Sequence, residues 1–175
     1  MNSGFAIRRV DAGEVDALAE PLADVLMDCV QGGASVSFMW PLPRQRALAF
    51  WRDVADGVRR GERLLLVGEA QPGRIDGTVQ LVLAQPDNQP HRADLAKMLV
   101  HRRARRRGLA QALLVAAEQA AREAGKRVLV LDTVTGGDAE RLYERGGWQR
   151  VGVIPDYALM PDGRPCATTY FHKPV

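Results

Sequence analysis

The amino-acid sequence predicts a single mixed α/β domain, and three observations carry that prediction. Apolar runs of strand length, LLLVGEA at 64–70 and RVLVLDT at 127–133, are bounded by turn residues or charge, as buried strands are. Between them, residues 108–125 place Leu109, Ala112, Leu113, Ala116, Ala117 and Ala120 at helical spacing, a strongly amphipathic pattern. No internal repeat, low-complexity tract or Pro/Gly-rich linker divides the 175 residues, a length that suits one core.

The elements follow in order. Phe5 to Val10 alternates loosely and reads as a first strand. Asp11, with Glu14 three residues on, is a capping-box-like start. A helix is therefore expected from Asp11, carried by Val15, Leu18, Ala19, Leu22, Val25, Leu26 and Cys29 and ended by Gln31-Gly32-Gly33. ASVSFMWPLP is a loop with two prolines and two large aromatics. Pro43 to Arg60 is helical, with Leu48, Trp51, Val54 and Val58 on one face and Gly61 as its stop. Leu64 to Ala70 is a strand, QPGRIDG a turn with two breaker pairs, and Thr78 to Ala84 the next strand. After the turn QPDNQP, Arg92 to Val100 is a strand in which Leu95 and Lys97 should face away from Ala96 and Met98. The helix at 108–125 precedes a strand over 127–133. A short helix over Asp138–Arg145 ends at Gly146-Gly147. Trp148 to Ile154 is a strand, a loop with a Pro-Asp-Gly turn follows, and Cys166 to His172 is the last strand.

Charge is concentrated in one place. The net charge is +3, yet without the five arginines of 102–107 the remaining 19 basic residues face 21 acidic ones, a balance of −2. A localised charge suits a compact anion better than an extended polyanion, so no nucleic-acid partner is expected. Cys29 and Cys166 lie far apart with no CxxC, and His91, His101 and His172 are scattered with no HExxH. Neither a disulfide nor a metal site is expected. No apolar run approaches the ~20 residues that span a bilayer, and the N-terminal residues lack the apolar core and small-residue cleavage site of a signal peptide. The expectation is a cytoplasmic protein with no membrane partner.

The arginines open a site. The stretch VHRRARRRGLA lies between a strand ending at Val100 and a helix opening near Gly108. A helix N-terminus has unpaired N–H groups and partial positive charge, and anions bind there. Gly108 lets a phosphate approach the main chain, Ala110 adds only a methyl group, and arginines before the glycine add charge-assisted hydrogen bonds. The spacing Arg105-x-x-Gly108-x-Ala110 thus builds a cradle for a pyrophosphate-sized anion. It is neither GxxxxGK[ST] nor GxGxxG.

That spacing, with KMLV before it and RVLVLDT and LYERGGW after it, resembles the acetyl-CoA motif of the GCN5-related N-acetyltransferases (GNAT). The resemblance covers nearly the whole chain, 1–175. It implies a GNAT fold: one mixed, mostly antiparallel sheet of about seven strands with four helices and splayed central strands. The segments VQGGASVSFM, RADLAKMLV, LDTVTGG and GVIPDYALMPDGR…TYF are also similar to those of tabtoxin-resistance acetyltransferases, family members that acetylate a β-lactam toxin.

By that resemblance, Arg105, Arg106, Arg107, Gly108, Leu109 and Ala110 bind the diphosphate of acetyl-CoA. Arg102 and Arg103 are expected to be solvated or to reach the 3′-phosphate. Met98, Leu99 and Val100 would pair their main chain with the pantetheine arm, and Ala139 would lie against the cofactor. Tyr143 falls where the family places the acid that protonates the thiolate. Gly136 stands where the family usually has an asparagine. Asp94 and Asp132, on the strands flanking the loop, are the candidate bases; the resembled toxin-acetylating enzymes have Glu at the first position, and the shorter Asp94 suits a water relay. Gly32, Gly33, Ser35, Phe38, Met39, Trp40 and Tyr157 would wall the acceptor site. The partner implied is a small-molecule amine of the class that includes toxins, antibiotics and amino-acid-like compounds, and the aromatic loop offers a surface on which two copies could meet as a homodimer. Two other readings fit the same residues: an arginine-rich nucleic-acid module, whose binding would collapse with salt, and a CoA-binding regulator without catalysis.

Overall fold

The computed structural model describes residues 4–175. In chain order the elements are β1 (Ala6–Arg9), α1 (Ala19–Gln31), α2 (Arg44–Arg59), β2 (Arg63–Gln71), β3 (Arg74–Val82), β4 (Arg92–Val100), a 3₁₀ turn (Arg102–Ala104), α3 (Leu109–Glu123), β5 (Val128–Val134), α4 (Asp138–Arg145), β6 (Gln149–Leu159) and β7 (Pro165–Pro174). The seven strands form one sheet in the order β1-β2-β3-β4-β5-β7-β6. Every neighbouring pair is antiparallel except β4 and β5, which are parallel and joined through α3. This is the seven-stranded, four-helix GNAT architecture that the resemblance implies.

Helices cover both faces, which is why the strand runs are continuously apolar rather than alternating. On β2, Leu64 and Leu66 join the core under α3 and α4, with Leu109, Leu113, Leu129 and Phe171. Leu65 and Val67 join the other core, under α1 and α2, with Leu22, Leu26 and Trp51. Gly68 on β2 and Gly77 on β3 leave room where α3 begins, since a Cβ at either position would strike the Leu109 side chain. The opening turn of α3 is thereby seated directly on the sheet.

The sheet splits at its parallel pair. β4 and β5 are in register only at Arg92↔Val128, Ala93↔Leu129 and Asp94↔Val130. Beyond that point β4 stays on β3 as far as Val100, and β5 stays on β7 as far as Val134. The main chain of Leu95–Val100 therefore pairs with no strand on its β5 side.

Four expectations change. The helix expected from Asp11 begins at Ala19. Asp11 N does donate to Glu14 Oε2 at 3.3 Å, but the chain runs through isolated turns before α1. Pro21 has no N–H to give to Ala17, so α1 starts where proline falls in its first turn. The β2–β3 turn uses only Pro72-Gly73, and Arg74–Gly77 belong to β3. β6 runs to Leu159 rather than stopping at Ile154, with Pro155 inside it; β6 is an edge strand with a bulge there, where a missing N–H is tolerated. Finally, Lys97 does not share a side with Leu95. Between the pairs Gln80↔Ala96 and Thr78↔Leu99, the two residues Lys97 and Met98 oppose the single Val79. That bulge, with Lys97 at φ +51°, turns the lysine toward α1 and α2 while Leu95 and Met98 pack under α3.

Candidate active site

The turn that opens α3 is held from below and open above. Gly108 at φ +84° is the N-cap of α3, a left-handed conformation natural to glycine, and no side chain caps the helix. Arg106 is also left-handed, at φ +59°. The first amides of α3, from Leu109 and Ala110, have no acceptor within the helix. Most of the arginines face the protein. Arg102 pairs with Asp28 on α1, its main-chain N–H donating to Asp28 Oδ2 at 2.8 Å. Arg103 donates from Nε to Asp76 Oδ1 at 2.6 Å and from Nη2 to the Ile75 carbonyl at 2.6 Å. Burial alone would raise the Asp76 carboxyl, but Arg103 and the Ala70 amide overcome it and hold it below its ordinary value. Arg105 donates to the Val100 carbonyl at 3.2 Å, with one Nη beside Gly32. Arg107 lies 4.9 Å above the Phe5 ring. Arg106 makes no hydrogen bond or ion pair to the described residues. Arg102 and Arg103, expected to be solvated or to reach a phosphate, are the most firmly tied of the five, because the fold brings Asp28 and Asp76 to them.

The split between β4 and β5 leads from this turn into the sheet. Tyr143, on α4, packs on Trp148 and Phe171 with ring centroids 5.7 Å and 6.1 Å away, and is 4% exposed. Its hydroxyl has no hydrogen-bond partner among the described residues, yet the fully buried unpartnered side-chain atoms are only Trp51 Nε1 and Gln80 Nε2. The hydroxyl therefore meets open space. Burial first, and then the Asp132 charge, push it above the ordinary phenol value, so it stays protonated. Ala139 lies one turn earlier on the same face of α4. Gly136 donates its amide to Glu140, which also accepts from Thr169 Oγ1 at 2.8 Å, anchoring α4 to β7.

A cavity of about 470 Å³ lies on the α1/α2 side of the split. Its walls come from Ser35, Ser37, Phe38 and Met39 in the loop after α1, Asp132 to Val134 on β5, Tyr157 to Leu159 on β6, and Thr168 on β7. Of the residues predicted for the acceptor wall and the base, Ser35, Phe38, Met39, Tyr157 and Asp132 thus converge. Gly33 and Trp40 line a separate, smaller cavity of about 140 Å³ with Met160 and Pro161. Gly32 borders neither and lies against Arg105. Asp94 is also elsewhere: it is ion-paired with Arg92 and accepts from Gln85 Nε2 at 3.1 Å, where β4 and β5 are still paired. Lys97, Ser37, Thr168 and Tyr170 were not anticipated. Lys97 Nζ donates to Ser37 Oγ at 3.1 Å, and Thr168 Oγ1 reaches Asp132 Oδ2 at 3.5 Å. Tyr170, opposite Asp132 on β7, shares a 2.7 Å hydrogen bond with Tyr157. That bond, then burial and then Asp132, push Tyr170 up to about 12. Strand pairing is what brings Tyr170 in, and no local motif marks it.

A model described as the acetyltransferase (GNAT) family matches residues 22–148. The chain belongs to that family. A relative from Azospirillum brasilense, named as an uncharacterised N-acetyltransferase in the hisH–hisA intergenic region, is 36% identical over 128 residues, covering 72% of this chain and 73% of the relative. Among solved structures, a GCN5-related N-acetyltransferase from Kribbella flavida superposes with TM-score 0.80 at 20% identity, covering 100% of both chains. The yncA protein from Salmonella typhimurium, solved with its cofactor acetyl-CoA, superposes with TM-score 0.73 at 20% identity, covering 98% of this chain and 94% of that one. This chain is thus an N-acetyltransferase, and its cofactor is acetyl-CoA.

The residues of this acetyltransferase fit that cofactor. The uncapped first turn of α3 offers main-chain N–H groups to a diphosphate, and Arg106 is the arginine of the run with no partner among the described residues. The unpaired edge of β4 beside the split can accept an extended arm as an added strand would be accepted. Among the described residues no group of three His, Cys, Asp or Glu could hold a metal ion, and no helix is long and apolar enough to cross a membrane.

Proposed function

We propose that this acetyltransferase, as one domain over 1–175, acetylates the primary amine of a small molecule by direct attack, with Asp132 as the base and Tyr143 as the acid. The observation that carries the reading is the cavity that joins Asp132 to Ser35, Phe38, Met39 and Tyr157 of the expected acceptor wall. Bound acetyl-CoA supplies the acetyl group as an activated thioester. The amides of Gly108, Leu109 and Ala110, with Arg106, hold its diphosphate. Arg105 and Arg107 shape the turn from below, through Val100 and Phe5. The main chain of Met98, Leu99 and Val100 holds the arm, and an N–H near Leu99 polarises the carbonyl. Ala139 packs on the same arm.

An amine of this kind is mostly protonated near neutral pH and must lose a proton before it attacks. Asp132 is exposed to the cavity and spends only a long bond on Thr168. It is therefore the better placed of the two predicted carboxylates, since Asp94 is engaged by Arg92 and Gln85. Tyr143, kept protonated by burial and by Asp132, presents a hydroxyl proton to open space. Phe38, Met39 and Tyr157 give the wall apolar surface for the acceptor's carbon skeleton. Toxins, antibiotics and amino-acid-like amines all fall within this class.

The experiment is a panel of small amines incubated with acetyl-CoA, with released thiol as the readout. Acetylation of a defined subset, lost in the double variant Asp132→Asn/Tyr143→Phe, is expected. Thermal stabilisation by acetyl-CoA with no turnover across the panel would instead support the regulator reading.

A further inference from the structure

Ser37 and Lys97 stand out because nothing in the transfer chemistry uses them. Both have left-handed main chains without being glycine, at φ +77° and +51°, and they touch each other across 60 residues of chain. Strained residues that persist at a site are held there by their surroundings. Lys97 Nζ donates to Ser37 Oγ at 3.1 Å and lies 5.7 Å from the Phe50 ring centroid. No carboxylate among the described residues is within ion-pair distance of it. Burial, opposed by the Asp132 charge and assisted by Arg63, draws Lys97 below the ordinary lysine value, as expected for an ammonium short of counter-charge.

The hydrogen bond fixes the polarity of Ser37. An ammonium group only donates, so Ser37 Oγ must accept from Lys97, and its own proton is left to point elsewhere. Other hydroxyls on the cavity wall are engaged: Ser35 donates to the Leu159 carbonyl at 2.8 Å, Thr168 to the Thr133 carbonyl at 3.3 Å, and Tyr157 shares with Tyr170 a bond that either hydroxyl can donate. Ser37 and Thr133 keep protons without an acceptor among the described residues, and only Ser37 is backed by a cation. The cavity thus has a charge-backed donor on its loop wall and the acceptor-only Asp132 on its β5 wall.

Resting on the amine-acetylation reading above, we propose that Ser37 and Lys97 recognise a carboxylate on the acceptor, so that the substrate is an amino acid or a small peptide-like amine with a free carboxylate. Lys97 supplies the charge from behind the wall, and Ser37 makes the contact. Asp132, across the cavity, faces the amine of the same molecule.

The test uses matched acceptors, each an amino acid and its carboxamide with the same side chain, and reads kcat/KM for both. A charge-backed hydrogen bond corresponds to a preference of about tenfold to hundredfold for the carboxylate. In Lys97→Met that ratio should fall to near one, with the loss in KM, and in Ser37→Ala it should fall several-fold. Lys97→Arg should restore part of it. Comparing the same pair across variants cancels the different basicities of the two amines. Equal use of both members by the wild type, or equal loss on both in Lys97→Met, would overturn the proposal while leaving the amine reaction standing. Failure to acetylate any amine would remove the reaction and this proposal with it. Should Lys97→Met not fold, as shown by loss of acetyl-CoA-induced thermal stabilisation, the Ser37→Ala and Lys97→Arg ratios decide in the same way.

Discussion

Two arginines three residues apart in one basic run should behave oppositely when neutralised. Arg103→Met removes the main partner of Asp76, a carboxylate with 0% of its residue surface exposed. Stripping one partner from a buried pair typically costs about 3–5 kcal/mol. Here Arg103 is 37% exposed, and the Ala70 amide at 2.9 Å and the Arg74 guanidinium at 3.4 Å both remain, so about 2–3 kcal/mol is the better figure. For a domain of this size each kcal/mol lowers Tm by about 2–4 °C, which gives a fall of about 4–12 °C. Arg106→Met removes a guanidinium with no partner among the described residues and should move Tm by less than about 1 °C. The ligand response inverts the order: Arg106→Met should weaken acetyl-CoA about tenfold, as loss of one charge-assisted contact does, and so reduce the Tm rise at a fixed ligand concentration. Differential scanning fluorimetry with and without acetyl-CoA reads both effects. Adding Asp76→Asn to Arg103→Met should recover part of the lost stability, because the buried charge, left with only the 3.4 Å pair to Arg74, goes with its main partner. If Arg103→Met melts like the wild type, or Arg106→Met melts as low as Arg103→Met, the division of the run into structural and ligand-facing arginines is wrong.

Other outcomes follow from the same geometry. Tyr143→Phe keeps the ring packing and should lower kcat about hundredfold, the low end for a lost general acid, with acetyl-CoA affinity measured by titration nearly unchanged. Asp132→Asn should lower kcat by a similar factor, whereas steady-state kinetics of Asp94→Asn should stay within about threefold of wild type. Acid unfolding reports on Asp76. Its folded value lies below the ordinary 3.8, so its contribution is complete above that pH and is lost as pH falls through the lower folded value. An Asp76→Asn variant should be less stable at neutral pH and should lack that acid-induced loss, as followed by circular dichroism.

Much of this molecule was legible in its sequence, for reasons that particular residues make plain. Continuous runs such as Leu64–Val67 mark strands covered on both faces, and the spacing of α3 fixes its buried side. Glycine eight residues past Val100 announced the open helix end. The acceptor wall was half legible: Ser35, Phe38, Met39 and Tyr157 were singled out, but Trp40 and Gly33 lie in the neighbouring pocket. What stayed hidden depends on pairing rather than local pattern. No property of RRARRR says which arginine meets Asp28 or Asp76, since those carboxylates arrive from 74 and 27 residues away. Strand parity placed Lys97 beside Leu95, and only a one-residue mismatch against β3 re-aims it. Pro21 could have moved the start of α1, because a proline constrains where a helix begins.

The three rungs that join β4 to β5 make the sheet two nearly separate leaves stitched along a short seam. Each leaf is an antiparallel ribbon, and away from the seam the two are joined by the core under α3 and α4. On the binding mode proposed above, acetyl-CoA would supply rungs that the chain itself omits, and cohesion between the leaves is then expected to rise with occupancy.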